Sequence, residues 1–215
     1  ENYPGLLPIL DSNGMVERIE GIQGPTMMEV FKAQTARFGT RFEMDEVESC
    51  ELGVWPFVLH TGNGQTLRTK SLIIATGATA RYLGLENELR LRGHGVSACA
   101  TCDGFFFRGM EVAVVGGGDS AAEEATFLTR FASRVHLLVR KDQMRASKIM
   151  QQRVFDNEKI TIHWNTEVVD VLGEKEVEGI KVLNNARGEE NVMDTVQGLF
   201  LGIGHSPNVT PFKDW

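Results

Sequence analysis

Cys99 and Cys102 are separated by two residues and followed at once by Asp103, in the run Cys99-Ala100-Thr101-Cys102-Asp103-Gly104. Thiols at that spacing can close a small disulfide ring and reopen it, with the thiolate as the attacking species. The adjacent carboxyl is placed to move a proton as the ring opens. Shortly downstream, Val112-Ala113-Val114-Val115 runs into Gly116-Gly117-Gly118-Asp119-Ser120-Ala121. Gly116, Gly118 and Ala121 fit the G-x-G-x-x-G/A spacing, in which a tight turn lets a pyrophosphate approach the backbone at a helix N-terminus. A dithiol this close to a dinucleotide turn points to electrons passing from a nicotinamide to a disulfide.

The end of the next strand refines the donor. A site for NAD usually carries an acid there, bonded to the ribose. Here Val139 is followed by Arg140 and Lys141, with Arg145 one turn later. Cations suit a 2′-phosphate, which Arg can grip with two hydrogen bonds. The alternative is a solvated, charged entry to a helix. The dithiol also has alternatives. Half of a zinc site would need two more ligands from Cys50 and the five histidines, without a second close pair. A structural disulfide is disfavoured in a reducing compartment, which the count of three cysteines suits. His205 is a lesser catalytic candidate, and His94 reads as structural.

The elements that must hold these residues follow from punctuation and period. After the breaker Gly24-Pro25, apolar Met27, Val30, Phe31 and Phe38 fall at helical intervals up to Gly39. Residues 41–50 and 71–75 read as strands, and residues 57–60 and 66–68 as a hairpin around Gly62-Asn63-Gly64. A domain crossing is placed near Ala80-Arg81. Strand 111–115, helix 121–131 and strand 135–139 make a βαβ unit, whose crossover is right-handed. Ala121, Ala125, Leu128 and Ala132 share one face of that helix. A helix over 145–155 and a strand over 160–164 follow. Residues 167–171, 177–183 and 192–196 read as an antiparallel meander, and residues 198–204 close the unit.

Composition bounds the class. Hydrophobic residues make up 42% of the 215, enough for a packed core. A net charge of −7 leaves no basic stripe for nucleic acid. No apolar run reaches membrane-spanning length, and the polar start Glu1-Asn2-Tyr3-Pro4-Gly5 does not read as a signal peptide. The absence of an initiator Met is expected of a fragment or a processed chain.

Several segments together resemble the low-molecular-weight, NADPH-dependent thioredoxin reductases. They are Glu1–Gly5, Ile74-Ala75-Thr76-Gly77-Ala78, Ser97–Gly104, Gly116–Ala121, Val139–Asp142 with Arg145–Lys148, and Ile203–Asn208, in the family's order. The run His136–Val154 is similar to reductases of plants, algae and cyanobacteria, and Phe105-Phe106-Phe107 to the bacterial form. The resemblance implies an α/β, two-domain Rossmann-like FAD/NAD(P)-binding fold. Residues 1–79 would be a partial FAD domain, 80–205 a complete NADPH domain bearing the redox pair, and 206–215 the start of the return to the FAD domain. It implies a relay from NADPH through FAD to the Cys99–Cys102 disulfide and on to thioredoxin. Cys102 would face the flavin, Cys99 would attack thioredoxin, and Asp103 would be the acid/base. Asn2, Val47, Thr76 and Gly77 match flavin-contacting positions. Gly116, Gly117, Gly118, Asp119, Ser120, Arg140, Lys141 and Arg145 match NADPH-contacting ones.

Some departures accompany the likeness. The family's first glycine-rich FAD loop would precede Glu1, and its later Gly-Asp motif would follow Trp215. Val139 replaces a frequent histidine. Residues 7–18 read as a loop extension turning at Asp11-Ser12-Asn13-Gly14. The expectation is the central part of a cytoplasmic or plastid-stromal enzyme, homodimeric in its full-length form. The alternatives are a non-catalytic NADPH-binding fragment and the flavoprotein reductase of a peroxiredoxin.

Overall fold

The computed structural model describes the backbone of residues 2–10 and 16–212 and the side chains of residues 24–212. The expected turn at Asp11–Gly14 and the side chain of Asn2 lie outside the described residues. The chain divides into two compact units, Glu1–Ile74 with Val209–Trp215, and Ala75–Asn208.

In the first unit β1 (Asn2–Leu10) pairs antiparallel with β2 (Val16–Gln23). Helix α1 (Gly24–Ala36) follows, with Pro25 in its first turn, where a missing N–H costs nothing. Its apolar side chains Met28, Val30 and Phe31 are exposed. An antiparallel sheet has β4 (Phe57–Thr61) between β3 (Val47–Glu51) and β5 (Thr66–Thr69), and the hairpin forms where the glycines place it. Two expectations are corrected. The strand expected over 41–50 pairs only from Val47, because β4 offers five residues of ladder. The apolar run 71–75 joins no ladder, and Ile73 and Ile74 are 89% and 48% exposed.

The second unit opens with β6 (Ala78–Ala80), α2 (Glu86–Arg90), β7 (Val96–Ser97) and the short helix α3 (Ala100–Asp103). A 3₁₀ turn over Gly104–Phe107 then leads into β8 (Glu111–Val115), α4 (Asp119–Leu128) and β9 (Arg134–Val139). After α5 (Lys148–Phe155) come β10 (Ile160–Trp164), β11 (Thr166–Leu172), β12 (Gly179–Asn184) and β13 (Glu189–Met193). Strands β14 (Val196–Leu201) and β15 (His205–Pro207) complete it.

A five-stranded parallel sheet in the order β10-β9-β8-β14-β7 forms the centre. Successive side chains of β8 point to opposite faces. Val112 and Val114 pack with Ala121, Ala125, Leu128 and Ala132, whereas Ala113 and Val115 pack with Val168, Val171 and Ile180 of the β11-β12-β13 meander. The periodic alanines of α4 are therefore its buried stripe. Two boundaries shift: α4 spans 119–128 rather than 121–131, and α5 starts at Lys148, leaving 140–147 as a loop. The third meander strand is the polar β13, and Val196 instead begins a central strand. Its partners Glu111 and Val112 on β8 draw it into the parallel sheet.

On α4, Glu124 lies on the stripe shared with Phe127, Leu128 and Phe131, the residues nearest Gly104 behind the dithiol helix. One of its carboxyl oxygens, Oε2, is buried without a hydrogen-bond partner. Burial, with Glu123 alongside, pushes this carboxyl up to about 7. The folded state then binds the proton more tightly than the unfolded chain, so stability falls as pH rises from the ordinary glutamate value towards 7. Glu124→Gln is expected to stabilise the protein at pH 8 by about 1 kcal/mol, discounted for partial exposure, and to change little at pH 4.5. Urea unfolding at the two pH values measures it.

Candidate functional site

The glycine turn is built by close approach. Gly116 follows β8 at φ +143°, where a Cβ would lie 2.5 Å from the Gly202 carbonyl oxygen and 2.7 Å from the Ala121 Cβ. Only a residue without a side chain lets strand and helix meet there. At Gly118, by contrast, a Cβ would meet nothing within 4 Å, so the backbone before α4 is open. Gly202 was missed as a site residue by sequence reasoning, because it lies far downstream of the motif it completes. A Cβ on it would fall 2.7 Å from the Ala121 Cα.

These residues floor a cleft of about 640 Å³ within the second unit. Its walls include Ser120, Arg140, Lys141 and Arg145, so the glycine turn and all three predicted cations share one space. The three cationic side chains are exposed, and none forms an ion pair or hydrogen bond with another described side chain. Backbone bonds hold their loop to the turn. The Gly117 carbonyl accepts from the N–H groups of Arg145 at 2.6 Å and Ala146 at 3.0 Å. Asp119 is exposed and is not among the residues lining the cleft, and its carboxylate accepts the Ser147 N–H at 2.7 Å. That bond, with a second from the Ser147 hydroxyl, holds the carboxyl below its usual range.

A second wall is Arg81, Tyr82 and Leu83. The buried carboxylate of Glu88 positions it, accepting from the N–H groups of Leu83 at 2.8 Å, Gly84 at 2.8 Å and Leu85 at 3.2 Å. An open backbone turn facing three unpaired cations fits a phosphorylated dinucleotide such as NADPH.

Cys99 and Cys102 form a disulfide with their Cα atoms 5.3 Å apart. Cys99 caps α3, and its Sγ accepts the Cys102 N–H at 3.2 Å and lies 3.4 Å from the Thr101 hydroxyl. Ser97, also missed from the sequence, pins the motif. Its hydroxyl donates to Asp103 Oδ2 at 2.6 Å and accepts the Cys99 N–H at 3.0 Å. Asp103 is thereby fixed beside the ring. The Gly104 contacts place the dithiol segment against the C-terminal half of α4, whose N-terminus carries the glycine turn. Among the described residues no group of three or more His, Cys, Asp or Glu is placed to hold a metal.

His205 is exposed on β15, and the His94 carbonyl accepts the Val177 N–H at 3.0 Å, a structural contact. Of the flavin-matching residues, Val47 lies in the first unit, and Thr76 and Gly77 lie in the second, where their carbonyls are bonded to Asn208. Neither unit by itself gathers a flavin site from them.

Residues 9–214 match the model of the pyridine nucleotide-disulphide oxidoreductase family. The chain belongs to that family. It is 45% identical over 96% of its length to a thioredoxin reductase of Mycolicibacterium smegmatis, of which it spans 62%. It is 46% identical over 97% of its length to the NADPH-dependent thioredoxin reductase 3 of Arabidopsis thaliana, of which it spans 37%. Among solved structures, the thioredoxin reductase of Giardia duodenalis superposes with a TM-score of 0.74 at 36% identity, over 88% of this chain and 62% of that one. The chain thus spans less than two thirds of the curated relatives it matches, and its two units belong to the family's α/β, Rossmann-like architecture.

The contact at Gly202 is directly testable. Gly202→Ala places a methyl group against the α4 backbone and is expected to cost about 1–3 kcal/mol, as overpacking does. It is also expected to weaken coenzyme binding by tilting the helix N-terminus. Thermal unfolding and NADPH titration of the variant report the two effects.

Proposed function

We propose that this chain carries the coenzyme-binding and disulfide-bearing part of a thioredoxin-disulfide reductase, with NADPH as donor, FAD as intermediate carrier and thioredoxin as acceptor. One observation carries the reading: the Cys99–Cys102 disulfide and a cleft lined by the glycine turn and by three cations that pair with no described side chain belong to the same compact unit. The thioredoxin reductases among its relatives support it.

Gly116, Gly117, Gly118 and Ser120 would hold the pyrophosphate of NADPH. Arg140, Lys141 and Arg145 would hold its 2′-phosphate. Bound there, NADPH supplies the hydride that reduces the disulfide in net terms: coenzyme, one proton and one disulfide become oxidised coenzyme and two thiols. FAD would be the intermediate carrier, as the family resemblance implies.

The chain's own residues account for the exchange that follows. In the reduced pair, a Cys99 thiolate is favoured by the Cys102 N–H and the Thr101 hydroxyl, which already face its sulfur. It attacks one sulfur of the acceptor disulfide and expels the other as a thiolate. Cys102 then attacks Cys99, re-forming the ring and releasing the second acceptor thiolate. Asp103, oriented by Ser97, moves the proton. The full-length protein would be a homodimer of a reducing compartment, the cytoplasm or the plastid stroma.

The full-length protein with NADPH and FAD is expected to reduce oxidised thioredoxin. Cys102→Ser is expected to abolish turnover while NADPH affinity stays within about twofold, because the sulfur is outside the cleft. Failure to reduce either thioredoxin or an aromatic disulfide reagent would overturn the reading.

A further inference from the structure

Arg140 and Lys141 have their carbonyls occupied by two asparagines from elsewhere in the unit. Asn165, between β10 and β11, donates its N–H to the Lys141 carbonyl at 3.1 Å. It does so from a left-handed conformation, φ +53°, which asparagine tolerates better than most residues. Asn185, in the turn after β12, donates its N–H to the Asn165 carbonyl at 2.8 Å. Its side-chain Nδ2 donates to the Arg140 carbonyl at 2.9 Å and to Glu167 Oε1 at 2.7 Å. The meander is thereby stitched to the basic loop through the backbone of both cationic residues.

Two consequences follow for the cleft. Pinning successive carbonyls fixes the peptide orientation at Arg140 and Lys141, and so the directions in which both side chains leave the backbone. Cations held this way lose less entropy when a phosphate arrives. Glu167 also lines the cleft, alongside Arg140 and Lys141. Its carboxylate is engaged by the Asn185 carboxamide and forms no ion pair with a described residue. Released, it would compete with an incoming phosphate for the same cations.

We propose that Asn185 is a positioning residue for coenzyme selection. Through the Arg140 carbonyl and the Glu167 carboxylate together, it keeps the basic pair aimed and unquenched for a 2′-phosphate. The inference rests on the NADPH reading of the cleft, and it adds to that reading a residue outside the βαβ unit.

Binding of 2′,5′-ADP and of 5′-AMP to the full-length protein and to Asn185→Ala, by calorimetric titration, separates the two claims. The wild type is expected to prefer 2′,5′-ADP by at least about tenfold, the scale of one charge-assisted hydrogen bond. Asn185→Ala is expected to lose most of that preference while binding 5′-AMP within about twofold of wild type, which also shows that the variant is folded. A wild type without preference overturns the NADPH reading and the inference with it. A wild-type preference that Asn185→Ala retains overturns the inference alone. So does an equal loss of both ligands, which would mark a purely structural role.

Discussion

Strand β8, strand β14 and helix α4 can meet only because the residues at their meeting point carry almost no side chain. Gly116, Ala121 and Gly202 bring three backbones within the width of one methyl group. Much else in the second unit depends on that approach. It seats the N-terminus of α4 over the end of β8, so that Ala121, Ala125 and Leu128 fall onto the sheet as one buried stripe. The Gly117 carbonyl accepts from Arg145 and Ala146, so that the glycine turn and the basic loop become one unit. A side chain at Gly116 or Gly202, or a larger one at Ala121, would separate the elements whose ends make the cleft.

The parts legible in the sequence were those in which neighbouring residues act on one another. The apolar run Val112–Val115, the glycines after it and the helical spacing of Ala121, Ala125 and Leu128 are local signals, and the βαβ unit formed there, with its helix boundaries shifted. The hairpin around Gly62-Asn63-Gly64 was legible for the same reason, and Arg140, Lys141 and Arg145, close in sequence, line one cleft. Local signals failed where pairing decides. Ser71–Ala75 has the composition of a strand, but a strand needs a ladder, and none is offered there. The edge strand β13, Glu189–Met193, is polar and exposed, so it carries no apolar run to announce it.

Around the cleft, the hydrogen bonds that position residues carried little local signal. Asp119 was read as a coenzyme contact from its place in the motif, whereas its carboxylate secures Ser147 at the entry to α5. Ser97 and Asn185 act through hydrogen bonds to residues fixed by the fold, and a serine or an asparagine looks alike in any loop. Gly202 is one glycine among 23, distinguished only by what lies opposite it.

The two walls of the cleft differ in how their charge is answered. The side chains of Arg140, Lys141 and Arg145 are exposed and pair with no described side chain, and any attraction they exert reaches through water. Glu88 is 0% exposed and is answered by three backbone dipoles at hydrogen-bond distance, with no mobile ion in between. Added salt screens the first kind of interaction and scarcely touches the second. The cleft therefore keeps its shape across ionic strengths while its pull on an anion weakens, and form and attraction become separately adjustable properties of the same cavity.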